Sequence, residues 1–323
     1  MSDKSVSDRS EANGWDSYWK GTNELGAFSG DGVNHPVISA YWENFCESVR
    51  TGSEINSVLD VATGNGALLP SLLNATGAMQ CSVTCFDYSL SAIQSVKSKY
   101  PNAQAFVGDA RRLPILARSV DLVTSQFGVE YAGMAAIEKV SGLVSEQGQL
   151  SLMMHMQNSS IYQDCENSYQ ATISLIESDF LNLADLFFQA AFAAFAGGER
   201  APYDAAATRL QPAVTALESS IAKYDVGVAS GMMAHLHGEV AKIHSSMQNY
   251  QLPEVLAWLR NLATEMPGYA ERMKAMRDSA LDESEFEQLK QFLVKEGFKL
   301  PVAHGLKASG EPLPLAWVLQ ASR

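Results

Sequence analysis

Basic residues are scarce in this chain. Twenty-three Lys and Arg stand against thirty-six Asp and Glu, a formal charge of −13, and such a field repels phosphate backbones and anionic membrane surfaces. Nucleic acid and membranes are therefore not expected partners. Cysteine is also sparse: Cys46, Cys81, Cys85 and Cys165 form no CxxC pair and are too few for a disulfide scaffold, so buried free thiols are expected. No apolar run approaches the roughly 20 residues of a membrane span. The most apolar stretch, Leu183 to Ala196, is interrupted by Asp185 and Gln189. The polar opening MSDKSVSDRSEA lacks a basic segment followed by an apolar one, which leads to the expectation of a cytoplasmic protein. With 46% hydrophobic and 18% charged residues the chain is neither disordered nor collagen-like, and its 323 residues suit two domains or one enlarged domain.

What is present is a rhythm of short apolar runs alternating with amphipathic stretches. The runs are SVLDVA (57–62), SVTCFDY (82–88), AQAFVGD (103–109), SVDLVTSQF (119–127) and GQLSLMMH (148–155). Their lack of polar alternation fits strands buried on both faces. The segments between them suit helices or short connections, so five strands of a doubly wound, Rossmann-like α/β sheet are expected. From residue 160 to about 280 only helical periods appear, including Leu210, Val214, Leu217, Ile221 and Tyr224, then Val228, Met232, Leu236, Val240, Ile243 and Met247. Phe187, Phe188, Phe192 and Phe195 read as helix core. A helix over DESEFEQLKQFLVKEGF and two strands, KLPVAHGLKA and LPLAWVLQA, close the chain, with Pro301 placing the first of the pair at the sheet edge. The expected architecture is a seven-stranded sheet, its last strand antiparallel, with an all-helical insertion after strand five. In residue numbers this is an N-terminal arm or lid (1–50), a sheet domain (51–158 with 281–323) and a helical cap or dimerisation insertion (159–280). Ligands of such sheets sit beyond the carboxyl ends of the strands, so the insertion is expected to roof the site or to mediate a homodimer.

The chemistry concentrates at Leu59-Asp60-Val61-Ala62-Thr63-Gly64-Asn65-Gly66. A strand ends there, turns on glycines and opens a helix whose first N–H groups are unpaired. Asp87 follows Gly66 by twenty-one residues, at the end of the second run, where a carboxylate can accept both hydroxyls of a ribose. A nucleoside cofactor is implied. The third glycine of the dinucleotide fingerprint is missing, Leu69 standing in its place, which disfavours a nicotinamide oxidoreductase. Asp60 is a poor neighbour for a pyrophosphate and a good one for a cationic amino acid, so a ligand with a nucleoside end and an ammonium end fits better.

Taken in order, DVATGNG, FDYS, GDARRLP and SVDLVTSQFGVEY resemble the motifs of class I S-adenosylmethionine-dependent methyltransferases, from Val58 to His155 and again over the C-terminal strand pair. The resemblance implies that S-adenosylmethionine is the cofactor and S-adenosylhomocysteine its product. It implies further that Asp60 and the Thr63, Gly64 to Gly66 backbone hold the methionine moiety, and that Asp87 holds the ribose. Tyr88 would lie against adenine, Asp109 with the Ala110 amide would read its edge, and Gln126 and Phe127 would border the sulfonium. Thr63 departs from the family, where a smaller residue, often glycine, is usual.

An in-line methyl transfer draws much of its rate from alignment and dryness. A thiolate or carboxylate acceptor needs no base, whereas a phenol or ammonium must first lose a proton. His155, ending the fifth run, is the foremost base or acceptor-positioning residue. Glu130 and Tyr131 are placed to orient an acceptor. Tyr18 and Trp19, with Trp15, His35 and Gly21, Gly26, Gly30 and Gly32, suit a lid over cofactor and acceptor. His235, His237 and His244 make a poor metal set, and no metal is expected. The expected function is methylation of a small-molecule acceptor, a small metabolite rather than a bulky aromatic, on S, O or N. A non-catalytic S-adenosylmethionine sensor or scaffold is the alternative.

Overall fold

Apolar runs long enough for one strand and too short for a helix stack side by side when helices can cover both faces, and this is how the chain is built. The computed structural model describes residues 15–16, 18–20, 35–51, 55–76 and 81–323. It divides into two compact units, one running to Tyr162 and resuming at Ala275, the other from Gln163 to Lys274.

The first unit holds helix α1 (Pro36–Thr51) and then β1 (Ser57–Val61), α2 (Leu69–Thr76), β2 (Ser82–Asp87), α3 (Leu90–Lys99), β3 (Gln104–Val107), β4 (Val120–Gln126), α4 (Met134–Ser141) and β5 (Val144–Met154). Its seven strands lie in the order β3-β2-β1-β4-β5-β7-β6, where β6 is Lys299–Leu306 and β7 Ala316–Ser322. The pairings β1–β2, β1–β4, β2–β3 and β4–β5 are parallel, and β7 runs antiparallel to both β5 and β6. Pro301 does lie in the edge strand, and the β6–β7 register shifts between Lys299 and Val302. Leu59, Val61, Val123, Leu150, Leu152 and Leu319 build the core of this unit.

β5 begins at Val144, four residues before the run that marks it in the sequence. The reason is a bulge: Val120 pairs with Val144 but Leu122 with Gln149, so the polar residues 145–147 and Gly148 belong to an irregular stretch of strand. The closing helix of the sheet unit, Glu283–Lys295, is started by a capping box in which Asp282 accepts from the Glu285 N–H and Glu285 reaches back to the Asp282 N–H. Asp282→Ala is expected to remove about 1 kcal/mol of stability, read as a lowered urea midpoint. An unchanged midpoint would show that the cap is dispensable.

The second unit is helical: the greater part of α5 (Ser160–Glu177), all of α6 (Phe180–Phe195), α7 (Ala201–Tyr224) and α8 (Met232–Ser245), and most of α9 (Leu252–Asp278). Leu210, Leu217, Leu236, Val240 and Ile243 are buried as their spacing requires, while Met233 rather than Met232 is fully buried. Phe187 and Phe188 are core, but Phe195, at the end of α6, is 58% exposed. Among the described residues no helix is long and apolar enough to cross a membrane. All four cysteines are free, and Cys81 is half-buried rather than buried.

Candidate active site

The parallel register brings the two motif carboxylates together. Asp60 pairs with Cys85 on β2, and Asp87 lies two residues further along that strand. Asp60 is 1% exposed and sits beneath the turn that follows β1. Its oxygens accept from the Thr63 hydroxyl at 2.6 Å and the Thr124 hydroxyl at 2.8 Å. Burial pushes its carboxyl up to about 6, the two hydroxyls oppose that, and the nearby Asp87 adds to it. Burial likewise raises Asp87, against amide donors at Ser89, Gly64 and Tyr88. Asp87 Oδ2 accepts the Gly64 N–H at 2.8 Å and Oδ1 the Ser89 N–H at 2.8 Å. The second carboxylate therefore fastens the glycine turn of the first strand to the end of its own.

Turn geometry follows from backbone sterics. Gly64 and Gly66 take φ of 54° and 87°, and Ala62 takes 54°, a left-handed conformation that is free to glycine and strained for alanine. The residue singled out by the sequence, Thr63, is instead well placed, its N–H bonded to the Phe86 carbonyl at 3.1 Å. The unusual position is one residue earlier. Ala62 finds space because its neighbour across the turn is Gly128, where an added Cβ would lie 2.4 Å from the Ala62 Cβ.

Trp19 is buried over the same turn, and a Cβ at Gly64 would lie 2.8 Å from its indole. Asp16 accepts from the Ser89 hydroxyl at 2.9 Å and the Ser91 N–H at 2.8 Å, at the N-terminus of α3. A carboxylate suits that end of a helix. Gly21, Gly26, Gly30 and Gly32 lie outside the described residues. His35 precedes α1, where its Nδ1 accepts the Val37 N–H at 3.3 Å; it serves the helix start.

Tyr88 is 40% exposed, which excludes a core role and leaves its ring beside Asp87 on the surface. Asp109 caps the turn Ala110–Arg112 and receives both the N–H and the Nε of Arg111 at 2.9 Å. Burial raises its carboxyl, but the Arg111 hydrogen bonds outweigh that and leave it lowered. Gln126 ends β4, and Phe127 leaves the strand at a left-handed φ of 49°, with its ring 4.7 Å from that of His155. Glu130 and Tyr131 occupy the helical turn Val129–Ala132. Glu130 is buried against His155, the Tyr131 ring lies 5.5 Å from the histidine ring, and Trp15 lies 5.4 Å from Tyr131. Trp15, Tyr18 and Trp19 contact one another.

Sequence reasoning missed the ties below these loops. The Ser125 hydroxyl donates to the Val61 carbonyl at 2.8 Å and accepts the Val129 N–H at 3.1 Å, linking the turns after β1 and β4. Thr124 and Ser125 are fully buried hydroxyls, but which groups they tie is set by strand register. Among the described residues no group of three His, Cys, Asp or Glu is placed to hold a metal ion.

The donor set fits a nucleoside. A carboxylate offers about four lone-pair sites, so Asp87 has acceptor capacity left after the amides of Gly64, Ser89 and Tyr88, beside the exposed Tyr88 ring.

A family described as a methyltransferase domain matches residues 58–148. Demethylmenaquinone methyltransferase of Chlorobaculum tepidum is 37% identical over 106 residues, covering 31% of this chain and 43% of that protein. An uncharacterized methyltransferase of Schizosaccharomyces pombe is 25% identical over 129 residues, 40% of this chain and 49% of that one. The solved structure of a SAM dependent methyltransferase from Aquifex aeolicus has 18% identity over 35% of this chain and 64% of its own, with a TM-score of 0.31. The chain spans less than half the length of the curated relatives it matches.

Proposed function

We propose, from the methyltransferase-domain match over residues 58–148, that this chain is a class I S-adenosylmethionine-dependent methyltransferase acting on a small-molecule acceptor. The observation that carries the reading is the pair of carboxylates closing β1 and β2 across one glycine turn, with the Gly64 N–H on Asp87 at 2.8 Å. In this proposal Asp60 supports Thr63 to Gly66 under the methionine moiety, Asp87 receives the ribose hydroxyls, and Tyr88 lies on adenine. Asp109 and the Ala110 amide read the adenine edge, and Gln126 and Phe127 border the sulfonium. When bound, S-adenosylmethionine supplies a methyl group that is displaced in line onto the acceptor, the S–CH3 electron pair leaving with sulfur as S-adenosylhomocysteine. The chain's contribution is to hold the acceptor aligned and dry.

Asp87→Asn is expected to weaken S-adenosylmethionine binding about tenfold, because a charged acceptor of the ribose hydroxyls becomes neutral. Titration calorimetry checks this, and equal affinities would count against the assignment. Saturable NADH binding without S-adenosylmethionine binding would favour an oxidoreductase. Binding with no S-adenosylhomocysteine from thiols, amines, phenols or acids would favour a sensor.

A further inference from the structure

Glu130 and His155 form a second titratable pair whose geometry fixes more than the cofactor turn requires. Glu130 Oε1 accepts the His155 backbone N–H at 2.9 Å and lies 2.6 Å from Nδ1 of the same ring. The side chains are 0% and 4% exposed, respectively. An oxygen that already accepts the backbone N–H is best met by a donating Nδ1–H, the tautomer that leaves the lone pair on Nε2. One oxygen thus sets both the tautomer and the ring orientation. The other, Oε2, is buried with no hydrogen-bond partner, so its charge is available to stabilise a positive imidazole at short range. Other histidines are used differently: His244 meets the Tyr203 hydroxyl at 3.1 Å, and His237 meets Glu218 on the surface.

We infer that Glu130 is a positioning residue that makes His155 Nε2 a proton acceptor, and that the methyl acceptor is a neutral, weakly acidic hydroxyl of phenolic or enolic type. The inference rests on the methyl-transfer reading above and deepens it. A thiolate or carboxylate is already nucleophilic and gains nothing from a base. The Phe127, Tyr131 and Trp15 rings would hold an ammonium in its charged form by cation–π attraction and so oppose loss of the proton that makes it a nucleophile, whereas a neutral hydroxyl is not held in this way. An aliphatic alcohol is too weak an acid for imidazole, whereas a phenol near pKa 10 is within reach. In the step, the acceptor O–H bond breaks with its electron pair staying on oxygen, and an N–H bond forms at Nε2. The imidazolium is then held against Glu130, and no further reactant is needed. The flat rings lining the histidine turn the preference within the small metabolites expected from sequence toward a planar acceptor.

Two readouts test this without turnover. Long-range proton–nitrogen correlation on histidine-labelled protein, with His155 identified by its loss in His155→Gln, should show an Nδ1–H ring in the wild type and a tautomer mixture in Glu130→Gln. An Nε2–H ring in the wild type overturns the inference. Titration of the cofactor-free protein with 4-nitrophenol, at a pH about two units below the probe's own pKa, should raise its phenolate fraction about tenfold over the free probe at the same pH. The gain should vanish in Glu130→Gln and His155→Gln. No binding, or binding without that gain, overturns it. Glu130→Asp serves as a second variant should Glu130→Gln fold poorly, and it should retain part of the gain. In turnover, His155→Gln should lose roughly a hundredfold on weakly acidic phenols and little on phenols already ionised. Methylation of an amine or thiol panel instead, with cofactor binding intact, would sink the acceptor class while leaving methyl transfer standing. Absent cofactor binding would sink the underlying reading.

Discussion

Gly128→Ala is expected to destabilise the sheet unit by about 3 kcal/mol in urea denaturation, at the upper end of what one added methyl does in a close-packed place. The residue's φ of −151° is open to alanine, so the effect comes from collision. An added Cβ would lie 2.4 Å from the Ala62 Cβ and 3.0 Å from the Ala62 carbonyl oxygen. Neither side can retreat cheaply. The Val61 carbonyl is held by Ser125, the Thr63 N–H by Phe86, and the Val129 N–H by Ser125 again. Ala62→Gly on its own should be neutral or slightly stabilising, because it relieves a left-handed alanine at a φ of 54°. Combined with Gly128→Ala it should recover a good part of the loss, a coupling that independent sites would not show. A Gly128→Ala protein as stable as the wild type, or one that Ala62→Gly leaves unrepaired, would refute this account of the paired turns.

The second large effect is electrostatic. Asp60 is raised from 3.8 to about 6, chiefly by burial, so the folded state holds its proton over a range where the unfolded chain has released it. The native state then binds more protons than the unfolded state, and stability falls as pH rises. The contribution is fully present below 3.8 and is lost on passing through about 6, a swing of about 3 kcal/mol. Asp60→Asn keeps an oxygen for one of the two hydroxyls and has no proton to lose. The stability of Asp60→Asn relative to the wild type should therefore rise by about that amount between roughly pH 4 and pH 6.5. Taking the difference of the two proteins cancels the carboxylates that do not interact with Asp60; Asp87, which does, contributes to the swing. Parallel stability curves would mean that Asp60 is no more burdened by its burial than an exposed aspartate.

Much of this arrangement was legible in the chain. Strands β1 to β4 were readable because burial on both faces leaves runs such as Val58, Leu59 and Val61 without regular polar alternation. The edge position of β6 followed from one missing N–H at Pro301. Strand β5 was cut short because residues 145–147 look like a loop, and only the pairing across the bulge shows that they are not. Asp60, Asp87 and the glycines were singled out by their spacing, and Glu130, Tyr131 and His155 by their places after β4 and β5; the structure puts Asp60 and Asp87 at the glycine turn and Glu130 and Tyr131 against His155. Three things were not readable. The left-handed backbone at Ala62 depends on Gly128, a partner sixty-six positions away. The hydroxyl ties from Thr124 and Ser125 depend on strand register. The Nδ1 bond of His155 depends on how a short helical turn aims Glu130. Each is a long-range relation that local pattern does not encode.

The rims of the sheet carry a consequence of their own. On one side β3 offers only four residues, and on the other β6 interposes a proline and a register shift. Neither margin presents a long, even ladder of unused N–H and C=O groups to a second molecule. Two copies of this domain meeting edge to edge at high concentration therefore find little to zip together. A sheet this rich in valine and leucine is thereby guarded against growing into fibrils.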